Sequence, residues 1–219
     1  MTEAPVKRSR VDDEVVLTQA TQPRPDPTSK YRYAMICSSN INRSMEAHTV
    51  LQNEGFDVES YGVGKQLRLP GPDGRARCFD FGTPYADIAK ALSEEGSVHY
   101  TRVGVLDLAR RAAGTKKAPQ RWQDAATIEL ERLNVVIVFE QRLFEATMLD
   151  LQQRDPVEFL PVHLICMDTR DSPKDAVEQG KKVLSLCRSI EGADLAVAMP
   201  PGFLESADRG EIQYMLAHI

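Results

Sequence analysis

Cysteine is scarce and dispersed in this chain: Cys37, Cys78, Cys166 and Cys187 are four residues with no C-x-x-C pair among them. That spacing indicates neither a zinc site nor a disulfide framework, and it fits a reducing compartment. His48, His99, His163 and His218 are equally scattered, so no metal-ligand cluster and no cofactor is expected. Long apolar runs are missing too. The longest clean one, Val135 to Phe139, is strand-sized, which argues against a membrane span. The N-terminus lacks the apolar core of a secretory signal. Nor is basic charge in excess: 27 Lys and Arg stand against 32 Asp and Glu, a formal net charge of −5, unlike a protein that binds nucleic acid through its whole surface. A cytosolic or nuclear chain remains. Its 219 residues suffice for one domain with a real core and no staples.

Residues 1 to 30 read as a disordered tail. Their five basic and five acidic residues cancel, and Pro5, Pro23, Pro25 and Pro27 oppose regular structure. Lys7-Arg-Ser-Arg10 is short for a nuclear-import patch, and a solvated tail is the simpler reading. Residues 31 to 219 then alternate strands and helices. Tyr33–Ile36 predicts a buried strand, and a helix follows from about Arg43 with Ala47, Val50 and Leu51 on one face. Phe56–Val63 reads as a second strand, and Leu67 to Gly74 as a loop or hairpin dense in turn residues. Tyr85, Ile88, Ala89 and Leu92 lie at helical spacing. Leu133–Phe139 is continuous rather than alternating, as a parallel strand covered on both faces should be. Phe144 to Leu151 predicts a helix, Pro161–Met167 a strand, and Gly180 to Cys187 a last helix. The order implies an α/β fold: a mostly parallel, doubly wound sheet flanked by helices. Residues 65 to 130 exceed a minimal crossover and form an accessory insertion around the site.

The stretch Cys37-Ser-Ser-Asn-Ile-Asn-Arg43-Ser44 carries the chemistry. A strand that ends in a tight loop at a helix N-terminus aims backbone N–H groups at one point, which suits a phosphate. Those N–H groups and the helix dipole favour the thiolate of Cys37, making it a nucleophile. Arg43 can fork two donors onto two phosphate oxygens. Ser44 can hydrogen-bond the sulfur and ease its departure in a second step. Ser38, Ser39, Ile41 and Asn42 complete the cradle, and Asn40 tolerates the left-handed backbone that such a nest requires. Cys-x5-Arg is a loose pattern. The other three cysteines do not show it, since Pro84, Ser172 and Ala193 stand six residues on.

A thiolate attacking a phosphate monoester also needs a proton donor for the leaving alkoxide. Asp168 and Asp171 close the Pro161–Met167 strand, at the sheet edge where Cys37 lies. The bland alternative has one capping the next helix and the other pairing with Arg170. Aspartate-based phosphotransferases usually space two acids i, i+2, whereas these are i, i+3.

From Cys37 to His48 the run Cys-Ser-Ser-Asn-x-Asn-Arg-Ser-Met-Glu-Ala-His resembles the signature of one family. It is the cysteine-based RNA polymerase II C-terminal-domain phosphatases of mRNA 3′-end processing, relatives of the low-molecular-weight tyrosine phosphatases. Gly55-Phe56, Leu69-Pro70-Gly71-Pro72, Tyr85, Tyr100-Thr101 and Pro161-Val162-His163 leading to Asp168-x-x-Asp171 extend the resemblance over roughly residues 31 to 190. It implies Cys37 as the nucleophile that forms a cysteinyl-phosphate, Arg43 as the phosphate holder, and Asp171 as general acid and then base. It implies a metal-independent attack on the phosphorylated fifth-position serine of the polymerase heptad, with activity also at the seventh. It further implies recognition of the following Ser–Pro bond in the cis form, a minority isomer whose slow exchange couples the reaction to a prolyl isomerase. Arg68, Leu69 and Pro70, with the wall near Tyr100, Leu106 and Leu108, would grip the peptide, and Ile41 would face it. Leu106 and Leu108 also read as ordinary core. A symplekin-type scaffold partner and a nuclear location follow from the same resemblance, with no direct nucleic-acid contact. Where the family carries Asp-Asn-His-Glu-Glu-Ala, this chain has Asp171-Ser-Pro-Lys-Asp-Ala176. Competing readings are a general tyrosine phosphatase, an arsenate reductase, for which the cysteines are badly spaced, and a scaffold with secondary catalysis.

Overall fold

The computed structural model describes residues 26–156 and 158–219. Most of the expected tail, with its Lys7–Arg10 run, lies outside the described residues. The part that is described lies along the body, where Thr28 N donates to Gly55 O at 2.8 Å and Lys30 N to Glu191 Oε2 at 2.6 Å.

The chain runs β1 (Arg32–Cys37), α1 (Arg43–Asn53) and β2 (Asp57–Gly62), then a hairpin of β3 (Leu67–Pro70) and β4 (Ala76–Phe79). Helices α2 (Tyr85–Arg102), α3 (Val105–Thr115) and α4 (Thr127–Leu130) follow, with a 3-10 turn at Trp122–Asp124 between the last two. The second half is β5 (Val135–Val138), α5 (Gln141–Gln153), β6 (Pro161–Cys166), α6 (Pro173–Glu191), α7 (Phe203–Asp208) and β7 (Gln213–His218).

Five strands form one sheet in the order β2-β1-β5-β6-β7. The first four are parallel and β7 runs antiparallel against β6. The expected mostly parallel, doubly wound sheet is present. The antiparallel edge strand and α3 add to it. Successive residues of the central strands face opposite layers, which is why their sequences read as unbroken apolar runs. Tyr33, Met35, Val135 and Ile137 pack with Ala47 and Leu51 of α1 and Val183, Cys187 and Ile190 of α6. Ala34, Ile36, Val136 and Val138 pack with Trp122, Leu130, Phe144 and Leu151 on the other side. Each fully buried Leu, Ile or Val in these layers contributes about 1.5–3 kcal/mol by transfer from water.

The accessory insertion has a core of its own. Leu67 and Leu69 of β3 meet Tyr85, Ile88, Leu92 and Tyr100 of α2, Leu106 and Leu108 of α3, and Ile41 and Met45 beside the loop. The chain leaves β1 toward β2 on one side and resumes at β5 on the other. That reversal opens a crevice outside the C-terminal ends of β1 and β5. Cys37 ends β1, and Phe139 and Glu140 follow β5.

Candidate active site

Cys37 is buried, 3% exposed, and its Sγ lies 3.0 Å from Ser44 Oγ. The loop between them is held from behind. Asn40 has φ of 52°, the left-handed backbone expected of it. Its Nδ2 donates to Ser44 Oγ at 3.1 Å and to Ser60 Oγ at 3.0 Å, while its Oδ1 accepts from Gln120 N at 3.0 Å. Ser60 Oγ in turn lies 2.8 Å from His48 Nδ1. Tyr85 OH donates to Asn40 O. Burial first, and nearby Cys37 second, push the Tyr85 phenol far up, so it keeps its proton and remains a donor.

The end of β2 braces the loop through its glycines. Val63 N donates to Cys37 O at 3.0 Å and Gly64 N to Ser38 O at 2.9 Å. A Cβ on Gly62 would stand 2.8 Å from Ser38 O, and one on Gly64 2.9 Å from it, so a side chain at either position would push the loop away. In front, Asn42 makes no side-chain cap bond to α1. The first-turn N–H groups of that helix are thus left for an oxyanion at the mouth of the loop.

Arg43 is buried, 4% exposed, and its guanidinium is fixed by the ends of two strands. One Nη donates to Phe139 O at 3.0 Å and to Thr169 O at 2.8 Å. The other Nη meets Glu140 Oε2 at 3.2 Å and Asp171 Oδ2 at 3.5 Å. Arg43 Nε is buried with no hydrogen-bond partner. A buried unpaired donor on a cation is costly, and a phosphate oxygen would satisfy it. The expected two-donor fork is not free here, because both Nη groups are already held by protein oxygens. Glu140 is a site residue that the sequence reading missed. Burial opposes its charge, but hydrogen bonds from Arg142 and Arg43 outweigh burial and hold its carboxyl below the ordinary value. The signal was its place directly after a central strand, at the same sheet edge as Cys37.

The two candidate acids separate. Asp171 reaches the loop, accepting from Asn42 Nδ2 at 2.8 Å and lying beside Arg43, and its side chain is 58% exposed toward solvent. Asp168 instead lines a cavity of ≈ 610 Å³ with Lys182, Phe203 and Ile212, and no phosphate-loop residue is among its walls. Neither aspartate caps α6. Ser172 does, with Oγ accepting from Asp175 N at 3.1 Å and donating to Asp175 Oδ2 at 2.6 Å, a cap that anchors the residue after Asp171.

The residues expected to grip a peptide divide by burial. Arg68 and Pro70 are exposed on the hairpin, and Arg68 N donates to Ser39 Oγ at 3.4 Å, which sets β3 beside the loop. Leu69, Tyr100 and Leu106 are buried in the accessory core. Leu108 lies at its margin and lines a cavity of ≈ 300 Å³ with Ile41, Asn42 and Met45. Ser38 and Ser39 are half-buried at the loop's opening.

Disulfide-shuttling chemistry finds no support in the two interior thiols, Cys166 and Cys187. Cys166 faces the opposite layer from Cys37, and burial, then Asp168, push its thiol up to about 12. Cys187 is wholly buried and burial pushes its thiol up as well.

A buried thiol at the switch point of a doubly wound sheet, facing unspent helix N–H groups and a strand-anchored arginine, defines a cysteine-dependent phosphatase. Comparison with known proteins gives the family. The profile described as Ssu72-like protein matches residues 31–210, and the chain belongs to the Ssu72 family. It is 40% identical over 168 residues to ssu72 of Schizosaccharomyces pombe, a phosphatase of the RNA polymerase II C-terminal domain, covering 76% of this chain and 83% of that one. It is 35% identical over 169 residues to the C-terminal domain phosphatase SSU72 of Danio rerio, covering 77% and 85%. Among solved structures, D. melanogaster Ssu72 with Symplekin, bound to a cis peptidomimetic C-terminal-domain peptide phosphorylated on its fifth-position serine, superposes with a TM-score of 0.80. That match has 29% identity and covers 87% of this chain and 100% of the other.

Proposed function

We propose that this protein is a serine phosphatase of the RNA polymerase II C-terminal domain, acting on the fifth-position phosphoserine of its heptads and also on the seventh. The observation that carries this reading is the convergence of Cys37, Arg43 and Asp171 at one loop in a chain of the Ssu72 family. Arg43 Nε and the α1 N–H groups hold the phosphate oxygens, placing phosphorus in front of Cys37 Sγ. The thiolate attacks, the P–O bond to serine breaks, and Asp171 gives its proton to the departing alkoxide. Water then attacks the cysteinyl-phosphate, Asp171 takes its proton, and the thiolate leaves with a hydrogen bond from Ser44. Fixed donors around the charge that develops on phosphorus supply the stabilisation.

Arg68, Pro70 and Leu108 lie where a peptide on either side of the phosphoserine would pass, with Leu69, Tyr100 and Leu106 supporting them from beneath. The relative's cis ligand supports selection of the cis Ser–Pro bond, and slow exchange of that minority isomer would couple turnover to a prolyl isomerase. The same relative's complex supports a symplekin-type scaffold as partner. A polymerase substrate implies work in the nucleus.

The test presents heptad peptides phosphorylated on serine or tyrosine, with the proline locked cis or trans. Wild type should hydrolyse the cis phosphoserine peptide without added metal, and Cys37→Ser should abolish turnover. Asp171→Asn should slow that peptide by roughly 10²-fold or more, and slow an aryl phosphate with a good leaving group far less. A preference for phosphotyrosine peptides would instead identify a general tyrosine phosphatase.

A further inference from the structure

The β3–β4 hairpin carries Arg68 and Pro70 on its exposed side and Leu67 and Leu69 on its buried side. It forms a two-stranded sheet separate from the main one, so its position over the phosphate loop rests on side chains. The strongest polar tie is a cluster around Glu95. Arg77 of β4, opposite Leu69 in the hairpin register, directs Nε and an Nη onto Glu95 Oε1. Tyr100 OH donates to Glu95 Oε2 at 2.7 Å. Asp73, in the hairpin turn, lies 3.8 Å from the Arg77 guanidinium.

Glu95 and Tyr100 belong to one helix but not to one rigid segment, because α2 departs from helical geometry at Gly96 between them. The carboxylate therefore joins three pieces: the hairpin, the first stretch of α2, and the stretch beyond the break that carries Tyr100. The hairpin carries one side of the proposed peptide surface, and Tyr100 packs beneath the other, which Leu106 and Leu108 of α3 complete. Hydrogen bonds from Arg77 and then Tyr100 hold the Glu95 carboxyl below its ordinary value. Burial and the bond to Glu95 push the Tyr100 phenol up to about 12, so it stays a donor. An isolated surface ion pair is worth little, but a carboxylate with both oxygens engaged by separate elements constrains geometry.

We infer that Glu95 is a positioning residue for substrate recognition: by clamping Arg77 and Tyr100 it sets the hairpin against the α2–α3 wall, and so the fit of the peptide around the phosphoserine. The inference rests on the peptide-phosphatase reading above. Glu95 touches neither the phosphate loop nor Arg43, so the chemical step does not depend on it.

Three variants test the clamp: Glu95→Ala, Arg77→Met and the double substitution. Each single change should raise KM for the cis phosphoserine peptide roughly fivefold, with kcat held within about twofold, since misplacement of a binding element weakens alignment without removing a reacting group. Kinetics on p-nitrophenyl phosphate should be unchanged. The double variant should be no worse than Glu95→Ala alone, because that change already removes the Arg77 contact along with the Tyr100 one. Equal losses on peptide and aryl phosphate, additive losses, or an unchanged peptide KM would each overturn the inference. Hydrogen exchange reads the clamp without any substrate. Amides of β3 and β4 should exchange faster in Glu95→Ala while β1 and β5 keep their protection, and unchanged hairpin protection would also overturn it. Failure of wild type to hydrolyse any phosphoserine heptad would remove the substrate reading alone, with the clamp still judged by exchange.

Discussion

Asn40 does two jobs at once in the phosphate loop. Its backbone holds the left-handed turn, and its side chain joins Ser44, Ser60 and the backbone of Gln120. The two contributions can be separated by substitution. Asn40→Gly keeps the backbone freedom and loses the bonds, whereas Asn40→Ala loses the bonds and adds a left-handed penalty of about 1–2 kcal/mol. Both should slow p-nitrophenyl phosphate hydrolysis, with Ala the slower and the less stable to heat. Equal rates and melting temperatures would mean that the backbone conformation is not what the residue supplies. Asn40, Cys37 and Arg43 were legible in the sequence because the strand, loop and helix that set their roles are contiguous. Glu140 was not, since its partner Arg43 is 97 residues away.

At the scale of elements, the start of α6 shows how a helix cap fixes the loop that precedes it. Ser172 Oγ caps the helix through Asp175 N and donates to the Asp175 carboxylate directly behind Asp171, so the segment starts a helix and holds the Asp171 carboxylate beside Arg43. Ser172→Ala should cost about 1 kcal/mol, a drop of roughly 2–4 °C in melting temperature for a chain of this size. It should also slow the phosphoserine peptide more than an aryl phosphate, because the acid loop loosens. Ser172→Asn, another good cap, should restore both, and failure to do so would separate the cap from the acid. Strands β1, β2, β5 and β6 and helices α1, α5 and α6 followed from periodicity. The antiparallel β7 did not, because its half-exposed pattern acquires meaning only once β6 offers it an edge. Helix α3 carries apolar residues at Val105, Leu108, Ala109 and Ala112, a helical spacing, yet its leucines also suited a binding wall.

For the whole molecule, the layers decide which thiols are available. Cys78 is exposed, whereas Cys166 and Cys187 are interior, each in a different layer of the core. Iodoacetate on the native protein should therefore modify Cys78 and Cys37, the latter drawn by its anion cradle, while the other two react only after unfolding. Inorganic phosphate should protect Cys37 and leave Cys78 unaffected; protection of both, or of neither, would contradict the proposed cradle. The amino-acid sequence by itself determined the thiol at the end of β1, the arginine six residues on, the left-handed asparagine between them and the doubly wound sheet. Each of these follows from short-range backbone geometry or from hydrophobic periodicity. Only the tertiary structure decided that Asp171 rather than Asp168 faces Arg43, that Tyr100 and Leu106 are buried in the accessory core, and that Glu95 ties the hairpin to α2. Those outcomes depend on where strand ends and loops distant in the chain converge, and no local pattern of residues encodes that distance.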